Sequence, residues 1–409
     1  MRERAVKLFD AAVKAADPAT ALRPHLADLP AITGRYVLIS IGKAACAMME
    51  EAIANLPKDA AFKAIAVTNY ENARDIENCT VMAAGHPVPD ENGHAAGRVV
   101  IDLLQTTTPN DVVLALISGG GSALLPAPIN GVSLADKAEV SHILLGAGVD
   151  ITEMNMVRQQ LSRLKGGGMA RLARPANLHG YILSDVIGDD LRVIASGPTV
   201  APIASRSAAR ELLTNLNVFD QMPVSVQNAL KVNEPETAPI NAENTLIGSN
   251  GHSLRAMLAA SDGGVIITDS LTGDVADAAE YILQSALNNP SKTLIFGGET
   301  TVTIRGDGKG GRNQELALRV AMLAEKADLG DWLFLSGGTD GRDGPTDAAG
   351  GIVDKHTVQR IRDAGENPEA LLANNDSYAA LQAAQDLLMT GATGTNVADV
   401  QVFLRPTKG

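Results

Sequence analysis

The feature that most constrains this chain is an alternation repeated along almost its whole length. Short apolar runs that stop at glycine are followed by segments with helical periodicity. Residues 112–117, VVLALI, are apolar at every position and run straight into Ser118-Gly-Gly-Gly-Ser122. A run without alternation fits a strand buried on both faces, as in a parallel sheet covered by helices. Similar strands are predicted at 35–41, 62–68, 79–84 and 180–183, with helices at 43–55, 93–105, 133–145 and 152–164 between them. This is the pattern of βαβ units in a doubly wound, mostly parallel sheet.

The rhythm breaks over 202–241, where two helices and a polar stretch with two prolines are expected. It then restarts. Strands are predicted at 245–248, 265–268, 293–296, 301–305, 332–335 and 400–404, and helices at 274–287 and 314–324. Gly297-Gly-Glu-Thr300 suits a hairpin between 293–296 and 301–305, so the second sheet is expected to be mixed. A chain of 409 residues is long for one core. The reading is therefore two α/β domains, 1–235 with the doubly wound sheet and 236–409 with a mixed sheet and flanking helices. The strand-to-glycine turns LISGGGS at 116–122 and FLSGGTD at 334–340 place one ligand-facing loop in each domain. Ligands of open α/β sheets bind beyond the carboxyl ends of the strands, so the active site is expected in an interdomain cleft.

Charge and composition exclude several classes. The net charge is −13 with only 3% aromatic residues. Neither a basic stripe nor a set of stacking aromatics is available for nucleic acid. Both cysteines, Cys46 and Cys79, sit in apolar runs and read as free thiols. The first 17 residues read as an amphipathic helix of both charge signs rather than a leader, and no apolar run is long enough to span a bilayer. A cytoplasmic protein without membrane or nucleic-acid partners is expected, and a homodimer is held open.

Candidate site residues cluster at strand ends. Successive N–H groups of Ser118, Gly119, Gly120, Gly121 and Ser122 can form an anion-binding concavity, aided by a following helix N-terminus. Lys43 stands where a strand meets a helix, with Gly42 before it but no Ser or Thr after it, so this is not a P-loop. Arg312, in Gly310-Gly-Arg-Asn-Gln-Glu315, can grip a carboxylate or phosphate bidentately. Asn313 and Glu299 lie in or near the same turn. Asp185 and Asp189 in SDVIGDD, and Asp340 in SGGTD, offer oxygen ligands for Mg²⁺ or a base for a hydroxyl. His86, between Gly85 and two prolines, is read as bonded to backbone. Gly306-Asp-Gly-Lys-Gly-Gly311 formally matches G-x-G-x-x-G. The strand before it alternates polar and apolar, and its charged residues would crowd a pyrophosphate, so a dinucleotide site is disfavoured there.

Ten segments occur in order: IGKAA at 41–45, GHPVPDENG at 85–93, SGGGSALL at 118–125, KGGG at 165–168, SDVIGDD at 184–190, ASGPT at 195–199, GGRNQE at 310–315, SGGTDGRDGPTDAAGG at 336–351, NNDSY at 374–378 and TGTNVADV at 393–400. Together they resemble the glycerate 2-kinases whose C-terminal part is called the MOFRL domain. Members of that family have often been labelled hydroxypyruvate reductases. The resemblance implies ATP with Mg²⁺ and phosphorylation of glycerate at its 2-hydroxyl. It also implies catalytic roles for Lys43 and Arg312, which match the family's G-K and G-G-R-N-Q-E motifs. Gly391-Ala392-Thr393 departs from the family's usual Gly-Pro-Thr without removing a polar group.

On this reading residues 118–122 hold the ATP phosphates. Lys43, Arg312, Asn313 and Glu299 meet glycerate. Asp185, Asp189 and Asp340 are metal ligands, and Asp189 also accepts the hydroxyl proton. The rivals are an NAD(P)H-dependent hydroxypyruvate reductase and a regulator that binds a nucleotide or sugar phosphate without catalysis.

Overall fold

The computed structural model describes residues 1–232, 240–327 and 329–406. The chain forms two compact units. One comprises residues 22–184 and 189–247, the other 1–21, 185–188 and 248–409. The boundary expected near residue 235 lies outside the described residues. The N-terminal segment 1–21, expected with the first domain, belongs instead to the second unit.

The first unit holds a six-stranded sheet: β1 Tyr36–Ile41, β2 Phe62–Asn69, β3 Thr80–Ala84, β4 Val112–Ile117, β5 Asn177–Leu183 and β6 Ala242–Gly248, in the order β3-β2-β1-β4-β5-β6. The pairs β1/β2, β1/β4, β2/β3 and β4/β5 are parallel. Every residue of β1 and β4 is buried, which is why neither shows alternation. Burying each such Val, Leu or Ile contributes roughly 1.5–3 kcal/mol. Beside the sheet, helices Leu134–Gly146, Ile151–Gln160, Arg206–Asn215 and Val224–Lys231 share a separate apolar cluster built on Val140, Val157, Leu213 and Val226. Two of these helices open on capping boxes, Ser133 with Asp136 and Asp150 with Glu153.

The second unit holds β7 Val265–Asp274, β8 Thr293–Thr301, β9 Leu333–Gly338, β10 Gly350–Asp354, β11 Leu387–Leu388 and β12 Asp399–Leu404, ordered β11-β10-β9-β12-β8-β7. Among the described strand pairs only β7/β8 is parallel, so the sheet is mixed as expected. The expected hairpin does not form. Residues 293–301 run as one strand through Gly297 and Gly298, and 302–305 lie outside any strand. Both faces of the sheet are covered. Phe296, Phe334 and Phe403 meet helices Val275–Asn288 and Arg312–Ala324. Ile295, Leu335 and Val402 meet Leu8, Phe9 and Ala12 of helix Arg2–Ala15 and Leu254 of helix Asn250–Ala260. The N-terminal helix belongs to this unit because its apolar stripe closes that second face.

Candidate active site

In the first unit the strand order reverses direction between β1 and β4, both of which start from the centre of the sheet. This is the switch point at which open α/β sheets bind ligands. The turn after β1 carries Gly42 and Lys43, and the turn after β4 carries residues 118–122. The two turns are tied together. The Ser118 N–H donates to the Ile41 carbonyl (2.9 Å), the Lys43 N–H to the Gly119 carbonyl (2.9 Å) and the Ala44 N–H to Ser118 Oγ (3.2 Å). Gly42 has φ +120° and a side chain there would overlap the Ser118 hydroxyl, so only glycine lets the turns approach.

The loop's own donors remain open. Among the described residues, no acceptor takes the N–H of Gly119, Gly120, Gly121 or Ser122, although Gly121 is buried. Consecutive unpaired N–H groups of this kind call for an anionic acceptor. The helix that follows is only Gly121–Leu124, four residues, so the expected helix dipole is slight and the N–H groups themselves carry the site.

Lys43 is exposed beside this loop. The His86 ring packs on Gly120, the Lys43 side chain packs there too, and among the described residues His86 has no hydrogen-bond partner. The backbone bond expected for it is absent. Burial, then the Lys43 charge, hold its pKa below the usual imidazole value. Ser122 is fixed from behind. Its Oγ meets Ser196 Oγ (2.8 Å), and the Lys165 ammonium donates to its carbonyl and hydroxyl oxygens (2.8 Å each). Ser196 in turn donates to Asn155 Oδ1 (2.9 Å). Ala195, Ser196 and Gly197 all have positive φ, so this support is a strained turn. Lys165, Ser196 and Asn155 were not singled out from the sequence as site residues, although KGGG and ASGPT contain two of them.

SDVIGDD follows β5, whose Ile182 lies opposite Ile117 of β4, so it starts at the same edge of the sheet. Asp189 is partly buried in a left-handed conformation (φ +53°), which Asp tolerates better than most residues. Asp190 is taken by Arg192 (2.7 Å). Asp185 is partly buried and belongs to the second unit with 186–188.

In the second unit a different cluster forms at one end of the mixed sheet. Arg312 is the first residue of its helix, and its guanidinium binds Asp399 bidentately (Nε–Oδ2 2.6 Å, Nη2–Oδ1 3.0 Å) while Nη1 meets Glu299 (2.9 Å). Asp399 opens β12 directly opposite Gly298 of β8, which explains how Glu299 comes near. Gly338, at the end of β9, faces both Asp399 and Asp340. Burial opposes charge on Arg312, yet Asp399 and Glu299 hold its pKa above the ordinary guanidinium value.

Asn313 is almost fully buried. It accepts from Ser336 Oγ (2.6 Å), and its backbone N–H donates to Asp343 (3.1 Å). Asp343 also accepts from the Gln314 N–H (2.8 Å) and so caps the Arg312 helix. Burial raises its pKa to about 6, against the backbone N–H groups that favour its charge.

The donor set suits Mg²⁺, which takes oxygen ligands and needs only one or two carboxylates when phosphates supply the rest. Among the described residues no three His, Cys, Asp or Glu side chains gather into a metal cluster.

The G-x-G-x-x-G match resolves differently. The N–H groups of Arg305 and Gly306 donate to Asn375 Oδ1, that of Asp307 to Asn374 Oδ1, that of Gly308 to the Asn374 carbonyl and that of Lys309 to Asp376. A Cβ on Gly306 or Gly308 would overlap Asn374, and one on Gly310 would overlap Ser377. The glycines there admit the NNDSY segment, which takes the N–H groups of residues 305–309.

The first unit is thus an α/β fold with an anion-ready turn at its switch point, and the second is a mixed sheet carrying a clamped arginine. Residues 4–231 match a family model described as "Domain of unknown function (DUF4147)", and residues 292–399 match the MOFRL family. The D-glycerate 2-kinase of Thermotoga maritima is 39% identical, with 99% of this chain and 98% of that protein covered. A putative hydroxypyruvate reductase of Agrobacterium vitis is also 39% identical, with 97% and 93% covered. The crystal structure of the glycerate kinase of Thermotoga maritima superposes with a TM-score of 0.92 at 38% identity, covering 99% of both chains. The chain belongs to the MOFRL-domain family of glycerate 2-kinases.

Proposed function

We propose that this protein transfers the terminal phosphoryl group of ATP to the 2-hydroxyl of D-glycerate, giving 2-phosphoglycerate and ADP. The observation that carries this reading is the run of four unpaired N–H groups at 119–122 beside Lys43. It is an array for phosphate oxygens at the place where the fold binds ligands. The reductase reading loses support at 306–309, where the N–H groups are taken by Asn374, Asn375 and Asp376, and the turn after β1 offers only Gly42 in place of a dinucleotide fingerprint.

Phosphoryl transfer needs positioning and charge neutralisation more than covalent chemistry. Residues 119–122 hold phosphate oxygens through backbone N–H groups, while the Ser118 N–H is held by the Ile41 carbonyl and only ties the turn to β1. The glycerate 2-oxygen forms a bond to the terminal phosphorus as the bridging P–O bond to ADP breaks, and Asp189 accepts the hydroxyl proton. Lys43 and Arg312 neutralise the glycerate carboxylate and the transferred group. Glu299 and Asn313 hold the turn that presents Arg312 to glycerate. Mg²⁺, held by Asp185 or Asp189 with Asp340 as a further candidate, would offset phosphate charge when bound. A cytoplasmic location follows from a metabolite substrate of this kind, and among the described residues no helix is long and apolar enough to cross a membrane.

The test is direct. Protein with Mg²⁺, ATP and D-glycerate should yield 2-phosphoglycerate by phosphorus NMR. A product that is all 3-phosphoglycerate overturns the regiochemistry. No product, with NADH oxidised on hydroxypyruvate, overturns the kinase.

A further inference from the structure

A cavity of about 360 Å³ opens in the first unit beside Ser122, the last residue of the glycine turn. Its lining carries three cations, Lys137, Arg158 and Lys165, together with the imidazole of His142, and among the described residues it contains no carboxylate. Lys137 comes from helix Leu134–Gly146, Arg158 from helix Ile151–Gln160 and Lys165 from the segment after it. The rest is mostly apolar, with Pro87, Pro126, Leu134, Leu145 and Met154 forming the wall. Pro87 follows His86, so the loop that packs on Gly120 and Lys43 also borders this cavity.

The three cations have only neutral partners. Lys165 donates to Ser122, and Lys137 donates to the Leu161 carbonyl (3.3 Å). Arg158 reaches only the Met154 sulfur (3.9 Å). Among the described residues none of the three forms an ion pair. Lys165 and Lys137 are 4% and 8% exposed, so their charge is largely stripped of water. Unpaired buried cations are costly, and three together repel one another. Burial first and the neighbouring cations second push Lys137 down to about 7 and Lys165 well below its ordinary value. A polyanion in the cavity would reverse both effects.

We infer that this cavity seats the nucleotide, with the polyphosphate over Lys137, Arg158 and Lys165 and the base against the proline–leucine–methionine wall. Glycerate has no apolar part to use that wall, whereas a purine nucleotide has both halves. Ser122 joins the cavity to the N–H array, so a polyphosphate held there continues into the turn beside Lys43. The inference rests on the kinase reading and specifies where its nucleotide lies.

Titration calorimetry with ADP and Mg²⁺ on Arg158→Leu and Lys137→Met tests it. ADP affinity should fall at least 10-fold, the KM for ATP should rise in parallel, and the KM for D-glycerate should stay within about twofold. Tripolyphosphate binding should weaken in the same variants while adenosine binding holds. Folded variants that bind ADP as tightly as the unsubstituted protein overturn the inference. If a variant fails to fold, the unsubstituted protein still decides. ADP should protect Lys137 from acetylation by acetic anhydride, read by mass spectrometry, and equal labelling with and without ADP overturns the inference. An unsubstituted protein that binds neither ATP nor ADP instead defeats the kinase reading itself.

Discussion

Arg312 meets Asp399 through two hydrogen bonds, and the carboxylate it meets is fully buried while the guanidinium is about one-third exposed. Burial raises the Asp399 pKa above the ordinary carboxylate value, and the bidentate fork of Arg312 opposes that shift. The exposed part of Arg312 is what an anion can reach. The buried part is an anchor.

Arg312 should therefore matter to stability as well as turnover. Arg312→Ala leaves Asp399 buried and unpaired, a change that typically costs about 3–5 kcal/mol. It should lower the melting temperature and cut kcat/KM by about 10²-fold or more, the scale of one lost charge-assisted contact to the transition state, ~3 kcal/mol. Arg312→Lys keeps the charge but not the fork, and should recover part of the stability with little of the rate. An Arg312→Ala protein that melts like the unsubstituted one would show that Asp399 needs no partner.

Lys43 should behave oppositely. It is exposed and forms no ion pair among the described residues. Lys43→Ala should lose about 10²-fold or more in kcat/KM with a stability change within about 0.5 kcal/mol. Gly42→Ala next to it should damage both, because the added methyl meets the Ser118 hydroxyl at a φ that L-residues avoid. Steady-state kinetics beside thermal melts separate the two cases. Full activity in Lys43→Ala would remove it from the reaction.

Turnover should stop with EDTA and return with Mg²⁺ or Mn²⁺. Asp189→Asn is a clean probe of the proton acceptor, because Asn also tolerates the left-handed backbone at that position. It should cost about 10²–10⁴-fold in kcat, the usual range for losing a general base. Asp185→Asn should raise the Mg²⁺ requirement. Normal kcat and normal metal dependence in both variants would take them out of the site.

The strands were legible where burial is two-sided. Residues 112–117 and 36–41 have no polar residue facing water to interrupt them, so their limits were readable within a residue. β10 was not, because Gly350-Gly351 looks like loop until the Ser336 and Gly337 backbone lies against it. The supposed hairpin failed for the same reason. Gly297 and Gly298 read as a turn, but they serve close packing inside a strand, against Leu254 and Leu271. At the site, turn glycines and the lysine and arginine beside them were visible as local pattern. Asp399, 87 residues from Arg312, and Lys165, 43 residues from Ser122, were not, because a buried partner distant in sequence leaves no local signature.

The unliganded protein should become more stable as pH rises from about 7 toward 10, and Lys137 should be a main cause. Its folded pKa is pushed down to about 7 by burial and then by Arg158, against an ordinary value of 10.5. Between those values the unfolded chain holds a proton that the folded chain does not, so stability rises with pH across that window. Below about 7 the full cost of the buried charge is present in the native state. Lys165 is shifted in the same direction and adds to the cost at lower pH. Cys79 opposes the trend above about pH 9, since burial raises its thiol to about 11 and disfavours the thiolate in the folded state. Comparing variants isolates the lysine. Lys137→Met should be more stable than the unsubstituted protein at pH 6 and should show a flatter rise between pH 7 and 9 in urea titrations. ADP with Mg²⁺ should flatten the unsubstituted protein's rise as well, because the phosphates pair with the charged amine. Parallel curves for Lys137→Met and the unsubstituted protein would mean that Lys137 keeps its proton without an anion, and the slope would then have to come from another group.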